Sequence, residues 1–252
     1  MEEFCGSGSR VVRIGRTVRR PAHRNTLAVQ ALLKHLEDIG FDGAPRALGI
    51  DEQGREIVSY IDGTAGHYPL KPYVLSESSL VQVARLLRCY HDASASFSMS
   101  ENSYWGYPVP GEREVICHGD AGPYNIIFRN GRPVALIDFE RAAPGPRIWD
   151  IGFVVYRFAP LCDVAEATLS PDFVRSIAQR IRTLLTAYGV STCNDLFDWI
   201  QLRLQTEIKL FECAENNYLT DRQKKIEAGH LALYKRDLRL IEEVSGDLGA
   251  LI

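Results

Sequence analysis

Residues 117–152 read CHGDAGPYNIIFRNGRPVALIDFERAAPGPRIWDIG, and the interpretation of the whole chain starts from them. Asp120 follows His-Gly, Asn125 comes five residues later, and Asp138 ends an apolar run that reads as a strand. The Asn-Gly pair between them predicts a hairpin that brings Asn125 and Asp138 to the same end. Two carboxylates and one amide placed in this way can orient a hydroxyl and hold magnesium, as phosphoryl transfer requires.

The polar residues of this stretch each allow more than one role. Asp120 can take the proton of a substrate hydroxyl as the new P–O bond forms, or it can simply cap a turn. Asn125 and Asp138 favour the first role, because all three positions converge through one hairpin. We predict that His118 bonds backbone near the Asp138 turn rather than acting as a base or metal ligand. We expect Asp150 to cap a helix or to bond the loop carrying Asp120, rather than to bind metal.

The rest of the chain reads as a small α+β region followed by a mostly helical one. Strands are predicted at residues 11–14, 17–19, 47–50, 56–61, 126–128 and 133–137. Helices are predicted from Asn25, as N-cap, to Gly40, and at residues 77–95, 148–158, 171–188, 194–214 and 221–244. The turn-rich residues 62–66 separate a lobe at residues 1–63 from a lobe at residues 64–252.

Composition restricts the classes of partner. The 252 residues are 46% hydrophobic and 24% charged, with a net charge of −3, so an ordinary globular core is expected. There is no basic tract that would favour nucleic acid, no apolar run long enough to span a membrane, and no apolar signal core in the first ten residues. The six cysteines are scattered, which argues against zinc and disulfides and favours free thiols in a cytoplasmic protein.

The motifs resemble those of the aminoglycoside phosphotransferase and choline kinase superfamily, which is related to the protein kinases. Residues 118–125 match the family loop His-Gly-Asp-x-x-x-x-Asn, and residues 137–140 match its Ile-Asp-Phe/Trp-Glu metal motif. Residues 145–152 match its trailing Gly-x-x-x-x-Asp-(Ile/Leu)-(Gly/Ala) pattern. The resemblance implies an α+β, protein-kinase-like fold of two lobes, with a small sheet-plus-helix N-lobe and a mostly helical C-lobe.

The same resemblance implies a set of site residues. Asp120 would be the catalytic base, and Asn125 and Asp138 would bind Mg²⁺. Tyr60 and Ile61 would lie in the hinge that contacts the adenine of ATP.

The N-terminal region departs from the family pattern. Members carry a lysine on the third strand that grips the ATP phosphates and pairs with a helix glutamate. Here the strand reads TVRRP over residues 17–21, so Arg19 or Arg20 would have to supply the cation. The two arginines point to opposite faces of the sheet, so only one can reach the cleft. The helix offers Gln30 instead of glutamate, and the glycine loop is reduced to residues 6–9.

Two functions from different classes follow from these observations. The first is a phosphotransferase that uses Mg²⁺ and ATP or GTP to phosphorylate a hydroxyl of a small molecule. The second is a catalytically weak or inactive kinase-like protein with a binding or immunity role, like the trifolitoxin-type immunity proteins among short relatives. The missing lysine and glutamate favour the second, and the intact trio favours the first. A hydrolase is a third, weaker idea, because no nucleophile lies beside a base at a recognisable spacing.

Overall fold

The structure is a computed structural model that describes residues 2–5, 10–98, 103–161, 170–191, 193–212 and 229–252. The chain divides into two compact units, Met1–Asp150 and Ile151–Ile252. The reduced glycine loop predicted at residues 6–9 lies outside the described residues, and so does the stretch 221–228 of the last predicted helix.

The first unit begins with an antiparallel sheet of five strands in the order β1-β2-β3-β5-β4. The strands are β1 (Glu2–Cys5), β2 (Arg10–Ile14), β3 (Thr17–Pro21), β4 (Ala47–Ile50) and β5 (Arg55–Ser59). The register of β3 and β5 places Arg20 directly opposite Glu56. Four of these strands were predicted, whereas β1 was not, because its short polar sequence has no strand periodicity of its own.

Helix α1 (Thr26–Asp38) packs an apolar stripe against the protein interior. Val29, Leu32, Leu33 and Leu36 are almost fully buried, at the spacing that places residues on one helix face. Asn25 occupies the N-cap position as predicted, but the expected capping bond is not formed. Its amide Nδ2 instead donates to the carbonyl of Glu140 at 2.6 Å, so it ties the helix start to the segment after Asp138.

The remainder of the first unit contains one long helix and two small sheets. Helix α2 (Glu77–Ala95) has the predicted bounds, and the Ser76 hydroxyl caps it by accepting from Ser79 N. One sheet has the order β6-β8-β9, and the other pairs β10 with β7. Their strands are β6 (Thr64–Ala65), β7 (Val115–Cys117), β8 (Ile126–Arg129), β9 (Arg132–Leu136) and β10 (Ala143–Gly145).

Helix α3 (Arg147–Phe158) spans the boundary between the two units. The second unit continues with α4 (Pro171–Tyr188), α5 (Leu196–Glu212) and α6 (His230–Gly249), and α6 packs against both α4 and α5. The predicted helix positions are confirmed over the described residues, with α5 starting at Leu196 instead of residue 194 and α6 extending further towards the C-terminus. None of the helices described is long and apolar enough to cross a membrane.

Candidate active site

The turn before Asp120 is held by a buried carboxylate. Asp150, which has no exposed surface, accepts hydrogen bonds from the backbone N–H groups of His118 at 2.6 Å and Gly119 at 2.9 Å. Gly119 has φ of +77°, and a Cβ there would lie 2.1 Å from the carbonyl oxygen of Arg141. Only glycine therefore fits this turn. Asp150 bonds the loop that carries Asp120, as the sequence analysis expected.

Two neighbouring side chains orient the Asp120 carboxylate. The amide Nδ2 of Asn125 donates to Asp120 Oδ2 at 3.0 Å and to its backbone carbonyl at 2.9 Å. The Tyr124 hydroxyl donates to Asp120 Oδ1 at 2.7 Å. The Tyr124 ring folds back over Gly122, where a Cβ would lie 2.7 Å from the ring. Both carboxylate oxygens are therefore fixed in direction.

The predicted hairpin brings Asp138 next to Asn125. The backbone N–H of Ile137 donates to the carbonyl of Asn125 at 2.9 Å, across the ends of β8 and β9. Asp138 itself adopts a left-handed conformation, with φ of 64° and ψ of 67°. Because Asn125 turns its Nδ2 towards Asp120, its Oδ1 is left without a hydrogen bond among the described residues. Asp120, Asn125 and Asp138 therefore meet at one end of the hairpin, while their roles stay predictions.

Of the two candidate arginines, Arg20 faces this hairpin end. Its Nε donates to Glu56 Oε2 at 2.6 Å, and its Nη1 donates to Asp138 Oδ1. Arg19, on the other face of β3, instead pairs with Asp51 at 3.4 Å. The structure therefore answers which arginine lies beside the predicted metal ligands.

Sequence reasoning missed Glu56, which lies opposite Arg20 on β5. Its side chain is 2% exposed, and its second oxygen, Oε1, accepts from Gln30 Nε2 at 2.9 Å. Gln30 in turn accepts from the backbone N–H of Gly49 at 2.9 Å. The charge of Glu56 within a predicted strand could have indicated this role. An acidic side chain that faces the core needs a partner of opposite charge or a hydrogen-bond donor.

The local electrostatics keep the carboxylates charged. Desolvation would raise the pKa of Asp138, but the charge and hydrogen bond of Arg20 outweigh it and lower that pKa. Desolvation would likewise raise the pKa of Asp150, but the hydrogen bond and electrostatic attraction of His91, with the Gly119 N–H hydrogen bond, outweigh it and hold that pKa below its usual value. Both groups are therefore carboxylates at neutral pH.

His118 has the structural role that the sequence analysis gave it. Its ring is buried, and desolvation lowers its pKa, so the imidazole is neutral at pH 7. Nδ1 lies 3.3 Å from the backbone N–H of Asp120 and accepts from it, so Nε2 carries the proton. That Nε2–H donates to the carbonyl of Ile137 at 3.0 Å, next to the Asp138 turn. A neutral ring in this position joins the Asp120 loop to the Asp138 turn.

The predicted adenine hinge follows directly after β5. The Tyr60 N–H donates to the carbonyl of Arg16 at 2.8 Å, and the Arg13 guanidinium lies 3.6 Å from the centre of the Tyr60 ring. Ile61 follows, and both residues are partly exposed. These contacts attach the hinge to the turn between β2 and β3, and contact with adenine stays a prediction.

A metal ion at this site would be bound by one amide oxygen and one carboxylate. Over the ranges described, no group of three or more His, Cys, Asp and Glu side chains could hold a metal ion. Asn125 Oδ1 and the Asp138 carboxylate are oxygen donors, which suit Mg²⁺, an ion that retains several waters when bound to protein. The donor chemistry therefore fits magnesium better than zinc.

The fold is similar to that of solved kinases and phosphotransferases of small molecules. The choline/ethanolamine kinase family protein from Mesorhizobium loti superposes with a TM-score of 0.57, at 15% identity over 95% of this chain and 91% of that chain. The GDP complex of aminoglycoside 2'-phosphotransferase-IIIa superposes with a TM-score of 0.56, at 14% identity over 98% of this chain and 92% of that chain. At these identities the likeness concerns the fold alone, and it confirms the expected α+β architecture.

Sequence comparison identifies the family. Residues 101–180 match the family described as the phosphotransferase enzyme family. The trifolitoxin immunity protein of Rhizobium leguminosarum bv. trifolii is 38% identical over 201 residues, which cover 75% of each chain. The chain belongs to the phosphotransferase enzyme family, which confirms the resemblance on which the site residues were predicted.

Proposed function

We propose that the protein is a phosphotransferase that uses magnesium and ATP or GTP to phosphorylate a hydroxyl group of a small molecule. One observation carries the proposal. Asp120, Asn125 and Asp138 meet at one end of a hairpin, and Arg20 reaches Asp138 from the neighbouring sheet.

Asp120 is the proposed catalytic base. Tyr124 and Asn125 hold its carboxylate at 2.7 and 3.0 Å, so it is pre-oriented to accept a hydrogen bond from the acceptor hydroxyl. As the acceptor oxygen bonds to the γ-phosphorus and the bond to the leaving nucleoside diphosphate breaks, Asp120 takes the hydroxyl proton. The protein's own contribution to this step is therefore to position the carboxylate that accepts the proton.

Asn125 and Asp138 would hold magnesium, which when bound supplies positive charge to the phosphate oxygens. Charge balance supports this assignment. Asp120, Asp138 and Glu56 are acidic and only Arg20 among the four is basic, so these groups together favour a divalent cation. Arg20 would bind nucleotide phosphate in the role that lysine has in the family, and its guanidinium charge is permanent.

The remaining assignments follow from the resemblance and stay part of the proposal. Tyr60 and Ile61 would contact the adenine, or the guanine if GTP is used. Residues 1–63 would form the nucleotide lobe, and residues 64–252 would form the catalytic and substrate lobe.

A second function is favoured by a specific observation, the 38% identity to a trifolitoxin immunity protein. A kinase-like scaffold can be kept for binding after catalysis is lost, because fold alone does not fix function. In that case the protein would bind a toxin or its target, and the Asp120 site would be weak or inactive.

Nucleotide binding separates the two functions. We expect Mg-ATP or Mg-GTP to raise the melting temperature as ligand concentration rises above Kd, because only the folded state binds. A matched titration with magnesium alone controls for ion effects. No shift at millimolar nucleotide would instead favour the immunity protein. Release of ADP or GDP in the presence of aminoglycosides, choline-like alcohols, sugars or nucleosides then identifies the acceptor.

A further inference from the structure

We infer that Glu56 is the positioning residue for Arg20, and that Gln30 on helix α1 positions Glu56. The inference rests on the proposed function, since it describes how the phosphate-binding cation is held. The carboxylate that pairs with this cation has thus moved from the helix to the neighbouring strand. Arg20 and Glu56 would then together take the place of the lysine and the helix glutamate that the family pattern has and this chain lacks.

Strand register supplies the first step. Arg20 on β3 and Glu56 on β5 are directly opposite each other in an antiparallel pair. Opposite residues project from the same face of a sheet with their Cβ atoms about 5 Å apart. The ion pair is therefore built into the sheet and does not depend on where a helix lies.

Burial supplies the second step. The Glu56 side chain is 2% exposed and that of Arg20 is 13% exposed, so neither charge is well solvated. A buried carboxylate needs partners for both of its oxygens, and here Arg20 Nε takes Oε2 while Gln30 Nε2 takes Oε1. Gln30 is fixed in turn by the N–H of Gly49. Hydrogen bonds therefore run without a break from β4 through α1 to Arg20.

The shape of the guanidinium supplies the third step. Arg20 Nε donates to Glu56, and Arg20 Nη1 donates to Asp138. One planar guanidinium therefore bridges a carboxylate of the sheet and the predicted metal ligand. Arginine can do this because its donors form a rigid fork, whereas lysine presents a single ammonium. Glu56 therefore sets the direction in which Arg20 presents its outer nitrogens to a phosphate.

The first test measures the affinity for Mg-ADP of the wild type, Glu56→Gln and Asp51→Asn by calorimetry. Glu56→Gln keeps the size of the side chain and removes its charge, and we expect Kd to rise about tenfold. A purely electrostatic effect has the opposite sign, because removing a nearby negative charge would strengthen anion binding. Asp51→Asn is the control. It removes the carboxylate that pairs with Arg19 and Arg55, two other arginines of this sheet, and it should bind Mg-ADP like the wild type. Wild-type affinity, or tighter binding, in Glu56→Gln overturns the inference while leaving the proposed function intact.

The second test does not need nucleotide, so it decides the inference even if the wild type fails to bind. The Arg20 Nε–H signal in a nitrogen-15 NMR spectrum is assigned by its loss in Arg20→Lys. We expect slow hydrogen exchange of this Nε–H in the wild type and in Asp138→Asn, and fast exchange in Glu56→Gln. Equal exchange in wild type and Glu56→Gln would show that Glu56 does not hold Arg20, and would end the inference.

Discussion

Residues 117–152, which carry the proposed catalytic base, and the N-terminal sheet are held together by different kinds of contact. In residues 117–152, several polar side chains bond other parts of the same stretch. Asp150 accepts from the N–H groups of His118 and Gly119, and Asn125 donates to Asp120. Contacts between near neighbours in sequence fix the direction of the Asp120 carboxylate. In the sheet, the cation Arg20 depends on Glu56 and Asp138, which lie 36 and 118 residues away. The cation site is instead assembled from residues far apart in the chain, and it depends on the register of β3 and β5.

The largest expected effect is on turnover, and it comes from replacing the proposed base, Asp120. We expect Asp120→Asn to lower kcat about 10³-fold, because the amide cannot take the hydroxyl proton. The measurement is nucleoside diphosphate release at saturating acceptor and nucleotide. The variant should keep the wild-type fold, since an asparagine oxygen still accepts from Tyr124 or Asn125.

Asp92→Asn is the matched control, because Asp92 is an exposed acid that pairs with Arg88 and Arg147 away from the trio. It should turn over as the wild type does. Equal turnover in Asp120→Asn would remove Asp120 from the mechanism, and the intact loop would then be structural only.

The same contrast explains what could be predicted from the sequence. The hairpin, helix α2 and the meeting of Asn125 with Asp138 depend on periodicity and one Asn-Gly turn, and the structure has them all. Strands β6 and β10 have only two and three residues, so pairing across the fold defines them and local sequence does not. Glu56 was missed for the same reason, because its partnership with Arg20 appears only once β3 and β5 are in register.

The next largest expected effect is on stability, through the acid that holds the loop. Asp150→Asn should lower the free energy of unfolding by about 3 kcal/mol, because it replaces a fully buried carboxylate that bonds two backbone N–H groups and His91. Urea unfolding measures the change. Asp92→Asn is again the control. Because it removes an exposed ion pair, it should lower the free energy of unfolding by less than about 1 kcal/mol.

The pH dependence of unfolding sharpens this test. Because the folded-state pKa of Asp150 lies below its unfolded value of about 3.9, its contribution is present above that pH and is lost as pH falls through the folded pKa. The acid side of the stability curve should therefore be flatter in Asp150→Asn than in the wild type. Parallel curves would mean that Asp150 does not hold the loop through its charge.

The smallest effects compare one glycine from each region. Gly119 in the loop and Gly15 in the β2–β3 turn both have positive φ, of +77° and +62°. A Cβ at Gly119 would lie 2.1 Å from the Arg141 carbonyl oxygen, whereas a Cβ at Gly15 would meet nothing within 4 Å. Gly15→Ala should therefore cost only the backbone penalty of about 1 kcal/mol, and Gly119→Ala should cost at least about 2 kcal/mol because the loop must also shift.

Urea unfolding of both variants measures the difference, and the shift of the loop gives Gly119→Ala a second signature. Because this turn positions the Asp120 carboxylate, the turnover of Gly119→Ala should fall. The turnover of Gly15→Ala should equal that of the wild type. Equal losses of stability at the two glycines would contradict the idea that the loop is the more tightly packed region. In that case the departure of residues 17–21 from the family pattern could not be attributed to looser packing in the sheet.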